Sequence, residues 1–298
     1  MKLRQAAVAA GRGGSVGAWE GDALLVGGCE EIEQVELAGA AATTIFLALD
    51  TMSALSRSIP GNWHDCDSTA AGGVVNAVRW KTATFAGHQL RYAVTGSGPA
   101  VVLPKKDRGS YVPFERLADQ YTMVQIEPLG FGRSDRPDPY PPVGIHEQIL
   151  AVCDQEDIPE FAVWGFSQGG AMACATAQAT PRARLMVCGG FNVLRGLSDA
   201  WLARMNRERR IPVGSRTFWN LFHSYNWHAE LRQMAIPKLM YWGTLDAQRV
   251  SLKDQYILRG VGIDVAEFAG LDHGRSGFGD PASPATDVVA DWLQRHGW

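Results

Sequence analysis

Gly165-Phe166-Ser167-Gln168-Gly169 sets a serine between two glycines, immediately after the apolar run Phe161-Ala162-Val163-Trp164. A serine hydroxyl is a weak nucleophile until a base takes its proton. A sharp strand-to-helix turn presents the oxygen to such a base and crowds the neighbouring backbone, so small residues are needed two positions either side. Both are glycine here. The following Gly170-Ala171-Met172-Ala173-Cys174-Ala175-Thr176-Ala177 is small and mostly helix-compatible. It suits a helix packed tightly under a sheet, with its N-terminal end aimed at a developing oxyanion. The competing reading is a glycine-rich turn carrying a solvated serine.

A nucleophilic serine needs a general base and a carboxylate to orient it, and in strand–turn–helix architectures the acid and then the histidine follow the serine in chain order. Ile236-Pro237-Lys238-Leu239-Met240-Tyr241-Trp242-Gly243 reads as a buried strand entered through a proline, with Asp246 in the turn beyond it. Ile263 to Phe268 reads as a short strand, and Gly270-Leu271-Asp272-His273-Gly274 places a histidine in the next loop. His273 is the candidate base and Asp246 the candidate acid. Asp272 competes by adjacency, but neighbouring side chains on extended backbone point apart. His64, His88, His146, His223, His228 and His296 fall outside the required position and read as surface or satisfied imidazoles.

The elements that must hold these residues follow from alternating apolar runs and helical stretches. Thr82 to Phe85 and Leu90 to Val94, joined by Ala86-Gly87-His88-Gln89, predict an antiparallel hairpin; the later strands, separated by helices, predict a mostly parallel sheet. Helices are expected over Pro113 to Tyr121, Ile145 to Cys153, Gln168 to Ala179 and Asp287 to His296. From Phe191 to about Leu231 the alternation stops. Trp201, Phe218, Trp219, Leu221, Phe222, Tyr225 and Trp227 crowd this stretch, as expected of a small helical cap whose aromatics wall an apolar pocket.

These residues resemble the serine α/β-hydrolases, specifically the short-cap esterase-like members, from about Thr82 to the C-terminus. Glu127-Pro128-Leu129-Gly130-Phe131-Gly132-Arg133-Ser134-Asp135-Arg136-Pro137 looks like that family's loop after its fourth strand, often written D-x-P-G-x-G-x-S. The resemblance implies a mostly parallel twisted sheet flanked by helices, with Gly132, Ser134 and Asp135 organising the loop rather than reacting. It also implies an oxyanion hole of two backbone amides, the first from Gln168. Many relatives carry His-Gly after the third strand, where the second donor arises. This chain has Pro104-Lys105-Lys106-Asp107-Arg108-Gly109 instead, and the second donor is assigned to Asp107, with Lys106 and Arg108 as alternatives.

The activity so implied is cofactor-independent cleavage of a small ester-like substrate through an acyl-enzyme. The same triad on this fold also serves C–C, thioester and amide hydrolysis and perhydrolysis. A ligand-binding homologue with slow or absent chemistry is a further alternative, motivated by Lys105-Lys106.

The chain has 298 residues, 46% of them hydrophobic, enough to bury the core of one such domain. A net charge of −3 gives no basic footprint for nucleic acid. Cys29, Cys66, Cys153, Cys174 and Cys188 show no metal-ligand spacing, and a reducing, cytoplasmic setting is expected. No dinucleotide, P-loop or zincin motif is present, so neither cofactor nor metal is expected. Residues 1–78 break the pattern: four basic and nine acidic residues, three unconnected apolar patches and no strand–helix rhythm. Leu37 to Leu49 is too short to span a bilayer, and Arg12 cuts short the only run resembling a secretory leader. The segment is read as a loosely ordered extension or a translated leader before Met52. The expected division is therefore 1–78 as extension and 79–298 as hydrolase domain, with a cap insertion at about 191–231.

Overall fold

The computed structural model describes residues 79–104, 112–195, 203, 227–278 and 280–298. Strands β1 (Trp80–Phe85) and β2 (His88–Thr95) form the expected hairpin, but its connection is two residues rather than four. Ala86 and Gly87 both take positive φ, 47° and 78°, the combination whose twist matches that of the flanking strands, so Phe85 pairs directly with His88. His88 and Gln89 therefore belong to β2.

Six further strands complete one sheet: β3 (Ala100–Pro104), β4 (Thr122–Glu127), β5 (Phe161–Phe166), β6 (Ala183–Gly189), β7 (Lys238–Gly243) and β8 (Ile263–Phe268). Their spatial order is β1-β2-β4-β3-β5-β6-β7-β8, antiparallel across β1–β2–β4 and parallel elsewhere. β3, β5 and β7 are apolar almost throughout because helices cover both faces of a parallel sheet. The chain leaves β3 toward β4 on one side and returns to β5 on the other. This reversal opens a crevice at the carboxyl ends of β3 and β5, where open α/β sheets place their sites.

Among the described residues the helices are α1 (Val112–Arg116), α2 (Ile145–Gln155), α3 (Gln168–Ala179), α4 (Trp227–Gln233), α5 (Leu252–Gly260) and α6 (Ala285–Arg295). α1 is shorter than its sequence pattern suggests, passing into turns after Arg116. α6 starts two residues earlier than expected, directly after Pro284, and buries Val289, Trp292 and Leu293 on one face. α3 is buried from Gly169 to Ala177, and its glycines and alanines let it lie close against β5 and β6. Large side chains there would push the Ser167 turn away from the sheet.

The loop after β4 is fixed as its sequence suggests. Ser134 Oγ donates to the Glu127 carbonyl and accepts from Arg91 N at 2.8 Å, while Asp135 Oδ2 accepts from Gln89 N at 2.8 Å. Glu127 occupies the usual aspartate position. Its buried carboxylate accepts from Arg133 N at 2.5 Å and Nη1 at 3.0 Å, so the extra methylene is accommodated within the loop. Among the described residues no helix is long and apolar enough to cross a membrane. The expected extension (1–78) and most of the expected cap lie outside the described residues; α4 overlaps the cap's C-terminal edge.

Candidate active site

Ser167 stands between β5 and α3 with φ 57° and ψ −121°, a backbone conformation that L-residues adopt only when their surroundings impose it. The surroundings are specific. Ser167 N donates to Gly189 O at 2.8 Å on β6, and Gly170 N donates to Ser167 O at 2.9 Å. A Cβ on Gly165 would lie 1.8 Å from the Gly169 carbonyl oxygen, and one on Gly169 would lie 2.9 Å from Pro104 O at the end of β3. The two glycines are thus required by backbone crossing backbone, the crowding inferred from the pentapeptide. Gln168 opens α3, and an amide at this position has no intrahelical acceptor and points out of the positive end of the helix.

His273, in the loop after β8, brings the distant elements together. Its Nε2 is 3.0 Å from Ser167 Oγ, and its Nδ1 is 2.9 Å from Asp246 Oδ2. The Asp246 side chain is fully buried, whereas that of His273 is 41% exposed. A buried carboxylate against a partly open imidazole favours the tautomer with hydrogen on Nδ1 and leaves Nε2 free to accept. The other oxygen of Asp246, Oδ1, accepts from Gln248 N at 2.7 Å.

Asp272, the rival acid, faces elsewhere. Its Oδ1 accepts from Arg275 N at 2.9 Å, and its side chain is 58% exposed. It turns its own loop. Ser276 Oγ donates to Asp272 O at 2.8 Å and secures the same loop behind His273.

Phe166, unremarked in the sequence, packs against this constellation. Its ring lies 4.9 Å from the His273 ring, 5.9 Å from Phe278 and 6.1 Å from Tyr241, centroid to centroid. The residue directly before the serine thus packs against the imidazole. Burial pushes the Cys153 thiol up to about 12. The thiol of Cys188, under the turn, is raised by its hydrogen bond with Cys174 and by burial. Neither supplies a thiolate at neutral pH, so Ser167 has no sulfur competitor from them.

Lys105, Lys106, Asp107, Arg108 and Gly109 lie outside the described residues, as do Trp201, Phe218, Trp219, Leu221, Phe222 and Tyr225. Among the described residues, no group of three or more His, Cys, Asp or Glu side chains is gathered to hold a metal. A cavity of about 770 Å³ lined by Lys238, Asp264, Trp292 and His296 opens beside the starts of β7 and β8. It lies at the opposite ends of the strands from the serine and histidine, and takes no part in their geometry.

A family model described as alpha/beta hydrolase fold matches residues 109–211. The enol-lactonase from Burkholderia xenovorans LB400 is similar in structure, with TM-score 0.57 and 17% identity over 72% of this chain and 100% of that one. A thermophilic esterase from Thermogutta terrifontis gives 0.57 and 15% over 73% and 98% of the two chains. The thioesterase domain of the curacin biosynthetic pathway gives 0.55 and 15% over 74% and 100%. At these identities the likeness concerns the fold. No curated protein matches the sequence.

Proposed function

We propose that this chain, a member of the α/β-hydrolase fold family, is a serine hydrolase that cleaves a small ester-like substrate through an acyl-enzyme without a cofactor. The observation that carries the reading is the unbroken chain of hydrogen bonds from Ser167 Oγ through His273 to the buried Asp246. Ser167 Oγ attacks the acyl carbon as His273 Nε2 takes its proton. Asp246 stabilises the imidazolium so formed. The Gln168 amide, with a second amide from the loop after β3 that we assign to Asp107, receives the oxyanion. The imidazolium then protonates the leaving alcohol, and a water activated by the same histidine releases the acid. The aromatic stretch 191–231 is assigned as the cap that walls the acyl pocket.

A fluorophosphonate tests this reading, because phosphonylation with loss of fluoride requires an activated serine. The expected result is one adduct, on the peptide containing Ser167, absent from Ser167→Ala and from His273→Ala. An unlabelled wild-type chain, or an adduct on another serine, overturns it. A series of esters, lactones and thioesters then ranks the bond cleaved.

A further inference from the structure

We infer that Arg249 and Glu267 are a positioning pair that holds the Asp246 carboxylate against His273, an assignment that rests on the serine-hydrolase reading above. Asp246 and His273 belong to separate loops. On the N-terminal side of Asp246 these loops are joined by two backbone hydrogen bonds, Thr244 N to Phe268 O at 3.0 Å and Leu245 N to Leu271 O at 3.0 Å, and by Gly270 N donating to the Thr244 side chain, Oγ1, at 2.9 Å. Beyond Asp246 the link is made by side chains. Arg249 N donates to Asp246 O at 2.9 Å, closing the turn, and the arginine side chain then reaches across to β8. Its Nε donates to Glu267 Oε1 at 2.6 Å and its Nη2 to Oε2 at 3.4 Å.

Glu267 is held from a second direction. Gln255, buried on α5, donates through Nε2 to Glu267 Oε1 at 2.9 Å and to Val250 O at 3.2 Å. The turn, the following helix and β8 therefore converge on one carboxylate. The Arg249 hydrogen bond, working against partial burial, holds that carboxyl below the usual glutamate range.

The consequence for catalysis comes through Gln248. Its amide, bonded to Asp246 Oδ1 at 2.7 Å, orients the carboxylate, and it immediately precedes the anchored arginine. Releasing the Arg249 side chain frees the peptide that aims Asp246. A misplacement of about 1 Å in a catalytic constellation costs up to about a hundredfold in rate. An ion pair that served stability alone would leave that rate unchanged in the folded fraction.

The test compares the full-length wild type with Glu267→Gln, Arg249→Met and Arg249→Lys by three measurements: the rate of fluorophosphonate capture at Ser167, the thermal midpoint, and the downfield proton resonance of His273 Nδ1. Glu267→Gln and Arg249→Met should label about 10- to 100-fold more slowly at temperatures where each is fully folded. The Nδ1 resonance should broaden or vanish in both, and Arg249→Lys should recover part of each signal. Labelling within about twofold of wild type together with an unchanged resonance overturns the assignment, even if the midpoint falls. Should Arg249→Met not fold, the isosteric Glu267→Gln decides alone. Failure of the serine-hydrolase reading looks different: the wild type itself goes unlabelled, and the Nδ1 resonance still reports whether the pair positions Asp246.

Discussion

His273 Nε2 stands 3.0 Å from Ser167 Oγ although 106 residues separate them in sequence. Two whole strands, β6 and β7, intervene in the sheet between the strand that carries the serine and the strand that leads to the histidine. The loop after β8 must therefore reach back over the carboxyl ends of its neighbours. The Phe166 ring occupies the space beneath that reach, touching Tyr241 of β7, Phe278 beyond the loop and the imidazole itself. The site is built by packing as much as by hydrogen bonding.

Ser167→Ala should abolish ester hydrolysis, leaving less than about a hundredth of wild-type turnover. Its thermal midpoint should move little, since the serine is only half-buried and alanine keeps the same Cβ. Ser167→Gly should also be inactive but more stable than Ser167→Ala. Glycine relieves the strain of φ 57°, and that gain of about 1–3 kcal/mol exceeds the entropy glycine adds to the unfolded chain. Differential scanning calorimetry of the two variants checks the order; a glycine variant melting below the alanine variant shows that the turn is unstrained.

Asp246→Asn should keep the Gln248 amide bond to Oδ1 and the shape of the turn, yet slow turnover by about 10² to 10⁴. The loss comes from the wrong imidazole tautomer and an unsupported imidazolium. Steady-state rates of the two proteins check the loss. Equal rates would remove Asp246 from the mechanism.

Where the sequence spoke clearly, it did so through short-range physics. The apolar run before Ser167 and the two glycines around it specify a strand, a crowded turn and a helix within twenty residues, and these appear as β5, the strained serine and α3. The positions of Asp246 and His273 were legible because each lies in the loop after a run that reads as a strand, the buried β7 and the short β8. The Arg249–Glu267 pair was not, since nothing local distinguishes a glutamate on a strand that binds an arginine 18 residues earlier from one facing water. The hairpin turn is shorter than its sequence suggests for a related reason. His88 and Gln89 have no strong strand preference, and they join β2 because the tight turn at Ala86-Gly87 sets the register.

Acid stability should depend on Glu156, which follows α2 and ties that helix to β1 and β2. Burial raises its carboxyl, but hydrogen bonds from Lys81 Nζ at 2.7 Å and the Tyr92 hydroxyl at 2.5 Å outweigh it, and the folded value lies below the ordinary one. A depressed carboxyl stabilises the fold above its unfolded value, about 4.3 for glutamate, and the contribution disappears as pH falls through the folded value. Glu156→Gln should therefore lower the thermal midpoint near pH 7, and the gap from wild type should close in stronger acid. A gap that stays constant between pH 7 and pH 3 would show that the lost contribution is packing rather than charge.

A chain beginning at Ala77 should fold and retain whatever esterase activity the full chain has. The eight-stranded sheet is drawn entirely from Trp80 to Phe268, and both chain ends of this region are secured within it. At the start, Trp80 pairs with Ala93 on β2, and the Arg133 guanidinium lies 4.4 Å over its ring. At the end, Trp298 Nε1 donates to Ala100 O at 3.1 Å, fastening the C-terminus to β3. Residues 1–76 are then dispensable for folding, although their apolar segments, such as Leu24-Leu25-Val26 and Ile45-Phe46-Leu47, give them means to influence solubility. Thermal unfolding and ester turnover of the shortened chain decide the matter. A soluble product with a cooperative transition and undiminished turnover confirms the boundary; an insoluble or inactive one shows that the acidic residues 1–76 are an integral part of the domain.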